Sequence, residues 1–89
     1  MTNNKDSRDP AVLALGALAW ILSEDDRAQR FLALTGLTPH GLRDAAALPA
    51  TQTAVLDFLC AHEPDLVAAS EALQVQPAAL AAAREGLEA

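Results

Sequence analysis

Residues 18–42 read LAWILSEDDRAQRFLALTGLTPHGL, and the punctuation of this stretch is that of three helices meeting at two turns. Ser23-Glu24-Asp25-Asp26 closes an apolar run and supplies side-chain oxygens to cap the next helix, whose positive N-terminal dipole end favours carboxylates. Arg27 to Thr35 then places Ala28, Phe31, Leu32 and Leu34 inward and Arg27, Gln29 and Arg30 outward. Gly36 is the natural left-handed stop. Leu37 packs back, Thr38 caps, and Pro39 opens a third helix running to about Ala47, at a position where its missing N–H costs nothing.

The same order of signals returns downstream. Adding 38 to the residue number carries Leu18 onto Leu56, Trp20 onto Phe58, Ile21 onto Leu59, Leu22 onto Cys60, Asp25 onto Glu63, Leu37 onto Val75, Pro39 onto Pro77 and Leu42 onto Leu80. Only four of the 29 positions from Ala17 to Ala45 are identical to their counterparts, and a chain rich in Ala and Leu yields such matches cheaply. The aligned helix starts carry the repeat, rather than the letters.

Upstream, Met1 to Asp9 is polar and reads as a flexible leader to a single helical domain over residues 10–89. Asp9 caps and Pro10 opens the first helix. From Ala11 to Leu22 every residue is apolar or glycine, so this helix has no wet face in the usual sense and is expected to be central. A chain of 89 residues buries only about 60 to 65% of its unfolded surface. Part of the helix is therefore expected to meet another protein or a second copy of this one. The run has the length of a signal-peptide core, but Asp6 and Asp9 cancel Lys5 and Arg8, and SEDD follows where the small residues of a cleavage site belong. It is also shorter than the roughly 20 residues that span a bilayer. The reading is a cytoplasmic protein without membrane contact.

Pro49 marks the boundary between the halves. Thr51 to Ala61 carries Val55, Leu56, Leu59 and Cys60 on an apolar side with Phe58 beside it, while Gln52 and Asp57 point away. Glu63-Pro64 opens a fifth helix to about Leu73, and Pro77 opens a sixth that ends near Gly86. The chain has no tyrosine, few β-branched residues and no sustained alternation, so strands are not expected. The fold class that follows is all-α, a compact bundle of about six short helices in two similar three-helix halves, residues 10–47 and 49–86.

Composition narrows the function. The chain is 52% hydrophobic, yet its only aromatics are Trp20, Phe31 and Phe58, so the core is built from Leu, Val, Ile and Ala. Twelve acids against six bases give a net charge of -6, which repels nucleic acid and anionic membranes unless the bases cluster. They do not: Lys5 and Arg8 lie in the leader, Arg27 and Arg30 on the second helix, and Arg43 and Arg84 stand alone. One cysteine cannot form an internal disulfide, so nothing points to an oxidising compartment.

Four candidate sites come out of the chain. Leu32, Gly36, Leu37 and Leu42 have roughly the spacing of a DNA-reading helix-turn-helix, echoed loosely by Ser70, Gln74, Val75 and Leu80. The helix after the turn presents only His40 and Arg43 to bases or phosphates, with Asp44 beside them. Glu24-Asp25-Asp26 and His62-Glu63-Pro64-Asp65 read as helix junctions and caps, since neither has the ligand spacing of a metal site. Cys60 reads as a buried small hydrophobe, with no basic neighbour in sequence to make it reactive. No phosphate-cradling glycine loop, nucleophile elbow or spaced His, Cys and acid set is present, so neither catalysis nor a cofactor is expected.

With LAWILSEDD, RFLALTGL and LDFL in view, the chain resembles a small family, typical of alphaproteobacteria, known as domain of unknown function 3572. The segments that carry the resemblance are Ala17 to Trp20 and Arg30 to Leu37, and it extends over about Ala11 to Leu87. It implies a short, all-helical cytoplasmic protein and brings no activity, cofactor or site residue with it.

The functional expectation is an acidic protein–protein interaction or regulatory domain without catalytic activity. Trp20 and Phe31 are its candidate apolar contacts, and Glu24, Asp25 and Asp26 a candidate acidic rim. A helix-turn-helix regulator using His40 and Arg43 is the alternative, and a small metal- or ligand-binding bundle a weaker one.

Overall fold

The computed structural model describes residues 9–88; of the flexible leader expected over Met1 to Asp9, all but Asp9 lies outside the described residues. Six helices follow one another: α1 (Pro10–Leu22), α2 (Asp25–Thr35), α3 (Pro39–Ala45), α4 (Pro49–Cys60), α5 (Glu63–Leu73) and α6 (Pro77–Glu88). No strand occurs among the described residues, and the chain is the expected all-α bundle.

Local chemistry sets the starts of the first three helices. The Asp9 carboxylate accepts from the N–H groups of Ala11 at 2.9 Å and Val12 at 3.3 Å. Glu24 accepts from Arg27 N–H at 3.0 Å, and Thr38 from Gly41 N–H at 2.9 Å. Each such cap is worth about 1 kcal/mol. The helices α4 and α5 start at Leu48 and His62 without a side-chain cap and rely on proline in their first turns. Two helices end in the left-handed region, α2 at Gly36 (φ 76°) and α5 at Gln74 (φ 61°).

Tertiary packing places α1, α4 and α6 against one another, with α5 lying on all three and α2 bridging α1 and α4. The core runs through Leu13, Leu18 and Ile21 of α1, Val55, Leu56 and Leu59 of α4, and Leu80 and Ala83 of α6. Phe31 of α2 is sealed inside it and meets Phe58 edge to face, with ring centroids 5.4 Å apart at 88°, a favoured aromatic geometry. Gly16 lets α5 come close, since a Cβ there would sit 2.9 Å from the Leu73 side chain. By contrast α3 rests on the rim, held by Leu42 and Ala45.

The 38-residue register is visible in three dimensions. Adding 38 to the ends of α1 and α2 gives the ends of α4 and α5, and adding 38 to the starts of α2 and α3 gives the starts of α5 and α6. Burial follows the same register. Leu13, Ala14, Ala17, Leu18, Ile21, Phe31, Leu42 and Ala45 are buried, and so are Thr51, Gln52, Val55, Leu56, Leu59, Ala69, Leu80 and Ala83, each 38 further on.

Several expectations need correction. Leu34 is not inward but 72% exposed; the core face of α2 is centred on Phe31, with Ala28, Leu32 and Thr35 half-buried beside it, and Leu34 lies on the far side of Phe31 from these. Gln52 does not point away: it is 7% exposed, occupies the repeat position of Ala14, and donates through Nε2 to the Ala46 carbonyl at 3.5 Å. Arg27 is folded inward over Trp20 rather than outward. The third helix stops at Ala45 and the sixth runs on to Glu88.

Candidate functional site

The outer surface of α1 is the most apolar exposed feature of the fold. Val12, Leu15, Ala19 and Leu22 are all exposed, at 39, 47 and 38% for the three large residues. Their spacing of three, four and three residues lines them along one face about 15 Å long. The opposite face of the same helix, Leu13, Ala14, Ala17, Leu18 and Ile21, is the core. Because α1 has no polar residue, sequence alone placed no boundary between its wet and dry faces; the neighbours α4, α5 and α6 draw it.

The stripe ends in the acidic turn. Glu24, Asp25 and Asp26 are exposed. Glu24 is occupied as the α2 cap, and Arg27 lies 3.9 Å from its carboxylate. Asp25 and Asp26 form the first turn of α2, favourable against the helix dipole, and make no ion pair among the described residues.

Trp20 and Phe31, the two apolar contact candidates, are placed differently from one another. Trp20 is half-buried, and its indole is covered by the Arg27 guanidinium, whose carbon stands 3.5 Å from the ring centroid, a cation–π stack. Arg27 Nη2 also donates to the Trp20 carbonyl at 2.6 Å and to Ser23 Oγ at 3.0 Å, closing the last turn of α1. The buried Arg27 Nε finds no hydrogen-bond partner; the indole face stands in its place. Phe31 is 0% exposed and packs its ring edge to face on Phe58 within the core.

A second apolar feature lies between α2 and α4, an open hollow of about 260 Å³ bordered by Leu34, Thr35, Ala54, Asp57 and Ala61 with the aromatic pair at its base. Asp57 on its edge pairs with Arg84 of α6. Nearby, Arg30 covers Phe58 at 4.9 Å and pairs with Asp65, which also lies 3.0 Å from His62 Nδ1. Thus His62 stands at the N-cap position of α5 without a side-chain cap bond; its imidazole instead lies against Asp65, whose pairing with Arg30 of α2 across 35 residues no sequence motif reveals.

Cys60 is corrected from buried to exposed. The geometry brings Arg84 near it, yet partial burial pushes its thiol above the ordinary value of 9.0, outweighing the lowering by Arg84, while Asp57 raises it further. Exposed but held protonated, it is a poor nucleophile near neutral pH. Among the described residues no group of three or more His, Cys, Asp or Glu is arranged to hold a metal ion.

The α2–Gly36–α3 segment does form two helices about a left-handed glycine. Its second helix has seven residues and presents His40, Arg43 and Asp44 around a shallow polar hollow with Pro39. No helix among the described residues is long and apolar enough to cross a membrane.

A family model matches residues 7–89, almost the whole chain, under the description protein of unknown function. The chain belongs to the family of domain of unknown function 3572. The uncovered α1 stripe of this family member lies directly before the acidic turn, within the matched residues. No curated protein and no solved structure matches the chain.

Proposed function

We propose that this member of the family is a cytoplasmic, non-catalytic domain that works by binding another protein through the outer face of α1. The observation that carries the reading is the uncovered line Val12, Leu15, Ala19 and Leu22 on a helix without a single polar side chain. Scattered exposed apolar residues are ordinary on a protein surface, whereas a contiguous line marks a contact. Support also comes from the repeat. The same four positions of α4 are Ala50, Thr53, Asp57 and Cys60, small or polar, on a helix with the same inward pattern. The helical scaffold therefore does not itself require large apolar residues there.

The test is a tagged pull-down from the native host's lysate, with and without nuclease, comparing the natural chain with the double variant Leu15→Thr/Leu22→Ser. One protein recovered in stoichiometric amount despite nuclease, and lost with the variant, is the expected result. Partners that vanish with nuclease would revive duplex reading through His40 and Arg43, and a partner retained by the variant would move the contact off α1.

A further inference from the structure

We infer that the α1 stripe receives an amphipathic helix of a partner protein, one that carries lysines or arginines at the end lying over the acidic turn. This deepens the reading above and rests on it. Two comparisons lead to it, one between the halves of the chain and one between possible occupants.

The repeat acts as an internal control. Four of the six exposed large hydrophobics among the described residues, Val12, Leu15, Leu22 and Leu34, belong to the first half, against Val67 alone in the second. Their counterparts 38 residues on are Ala50, Thr53, Cys60 and Ala72, small or weakly polar in every case. The eight buried positions of the first half, by contrast, are all buried again in the second. Selection for the fold acts on the inner positions of both halves alike, so the apolar surplus outside belongs to a contact made by the first half only.

The occupant follows from charge. A second copy would bring the same stripe and the same net charge of -6. Paired in parallel, the two sets of Glu24, Asp25 and Asp26 would face each other. Paired antiparallel, each acidic turn would meet the start of an α1 that has no basic residue between Pro10 and Leu22, behind a leader whose Lys5 and Arg8 are matched by Asp6 and Asp9. A foreign helix with apolar side chains every three to four residues meets the same stripe. Its terminal bases then find Asp25 and Asp26 unpaired, adding an attraction that a second copy lacks.

The probe is a labelled, end-capped peptide of about sixteen residues, long enough to be helical on contact. Leucines stand at helical spacing along one face and three lysines at one end; a control peptide has glutamates in place of the lysines. Binding is followed by fluorescence anisotropy. The expected result is saturable binding of the lysine peptide that weakens as salt rises from about 0.05 to 0.5 M, with no binding of the glutamate peptide. Asp25→Asn/Asp26→Asn should weaken it about three- to tenfold and remove most of the salt dependence. Leu15→Thr/Leu22→Ser should weaken it by about tenfold or more, with an unchanged thermal midpoint showing that the variant is folded.

Equal binding of the two peptides would overturn the charge argument. Failure of both, together with a concentration-dependent dimer in sedimentation that the leucine variant dissolves, would hand the stripe to a second copy. If the lysine peptide fails while the lysate partner is still lost with Leu15→Thr/Leu22→Ser, the α1 contact stands and only the basic helix falls.

Discussion

The two halves of this chain share a skeleton and differ in their skin. Helix ends coincide under a shift of 38 residues, and every buried position of the first half is buried again in the second. Yet only four of 29 aligned letters agree from Ala17 to Ala45, and the partners differ as much. The first half caps α1, α2 and α3 with Asp9, Glu24 and Thr38, while α4 and α5 start without side-chain caps. Trp20 takes its guanidinium from Arg27 on the next helix, and Phe58 takes one from Arg30 in the other half. In the second half the third helix is long and packs on α1 and α4; in the first it is seven residues at the rim. Inner positions are held by packing, which tolerates any apolar residue of fitting volume, and outer ones are free to diverge.

The largest effects should fall on the shared inner positions. Ile21 and Leu59 occupy equivalent, fully buried sites, so Ile21→Ala and Leu59→Ala should each cost about 2 to 5 kcal/mol. Urea unfolding midpoints measure both. A difference between the two much larger than their spread would show that one half carries the core and would break the equivalence.

Intermediate effects should come from the left-handed caps. Gln74 holds φ 61° where its counterpart Gly36 holds φ 76°, and only glycine does so without steric cost. Gly36→Ala should destabilise by about 1 kcal/mol and Gln74→Gly should stabilise by a similar or smaller amount. Opposite signs in thermal midpoint sharpen the comparison; a loss in both would mean that the Gln74 side chain contributes packing.

Smaller still is the stability effect expected on the outer stripe. Leu15→Thr and Leu22→Ser, changes that give α1 the small and polar outer face of α4, should each stay within about 0.5 kcal/mol of the natural chain. A larger loss by the same unfolding measurement would place these leucines in the fold rather than in a contact.

The smallest effect belongs to Cys60, counterpart of Leu22. Burial raises its thiol above 9.0, so well below pH 9 it is protonated folded and unfolded alike and its contribution is fully present. As pH climbs past 9 the unfolded chain releases its proton before the folded one, and stability falls. Cys60→Ser should remove that slight decline in unfolding midpoints taken between pH 8 and 10. The window is clean because the chain has no tyrosine and Lys5 is its one lysine. A Cys60→Ser chain with the same decline would assign it elsewhere.

Much of the skeleton was legible because its signals are local. Asp9, Glu24 and Thr38 act on N–H groups two or three residues away, prolines sit in the first turns of five helices, and Gly36 ends α2 by its own backbone preference. The candidate site was only half legible. The apolar length of α1 announces that some of it must stay uncovered, but the burial of Phe31 is not legible, because an aromatic on a short helix reads alike whether it faces a partner or a core.

By itself, then, the sequence determined the helices, their caps, the 38-residue register and the acidic charge, all properties of neighbours along the chain. Tertiary structure alone decided which apolar residues stay outside. It exposed Leu15 and Leu34, buried Gln52 beneath the Ala46 carbonyl, brought Cys60 to the surface, and joined Arg30 to Asp65 and Arg84 to Asp57. Those outcomes depend on which helix lies against which, and that is set by the summed packing of residues far apart in the chain rather than by any residue's own preference.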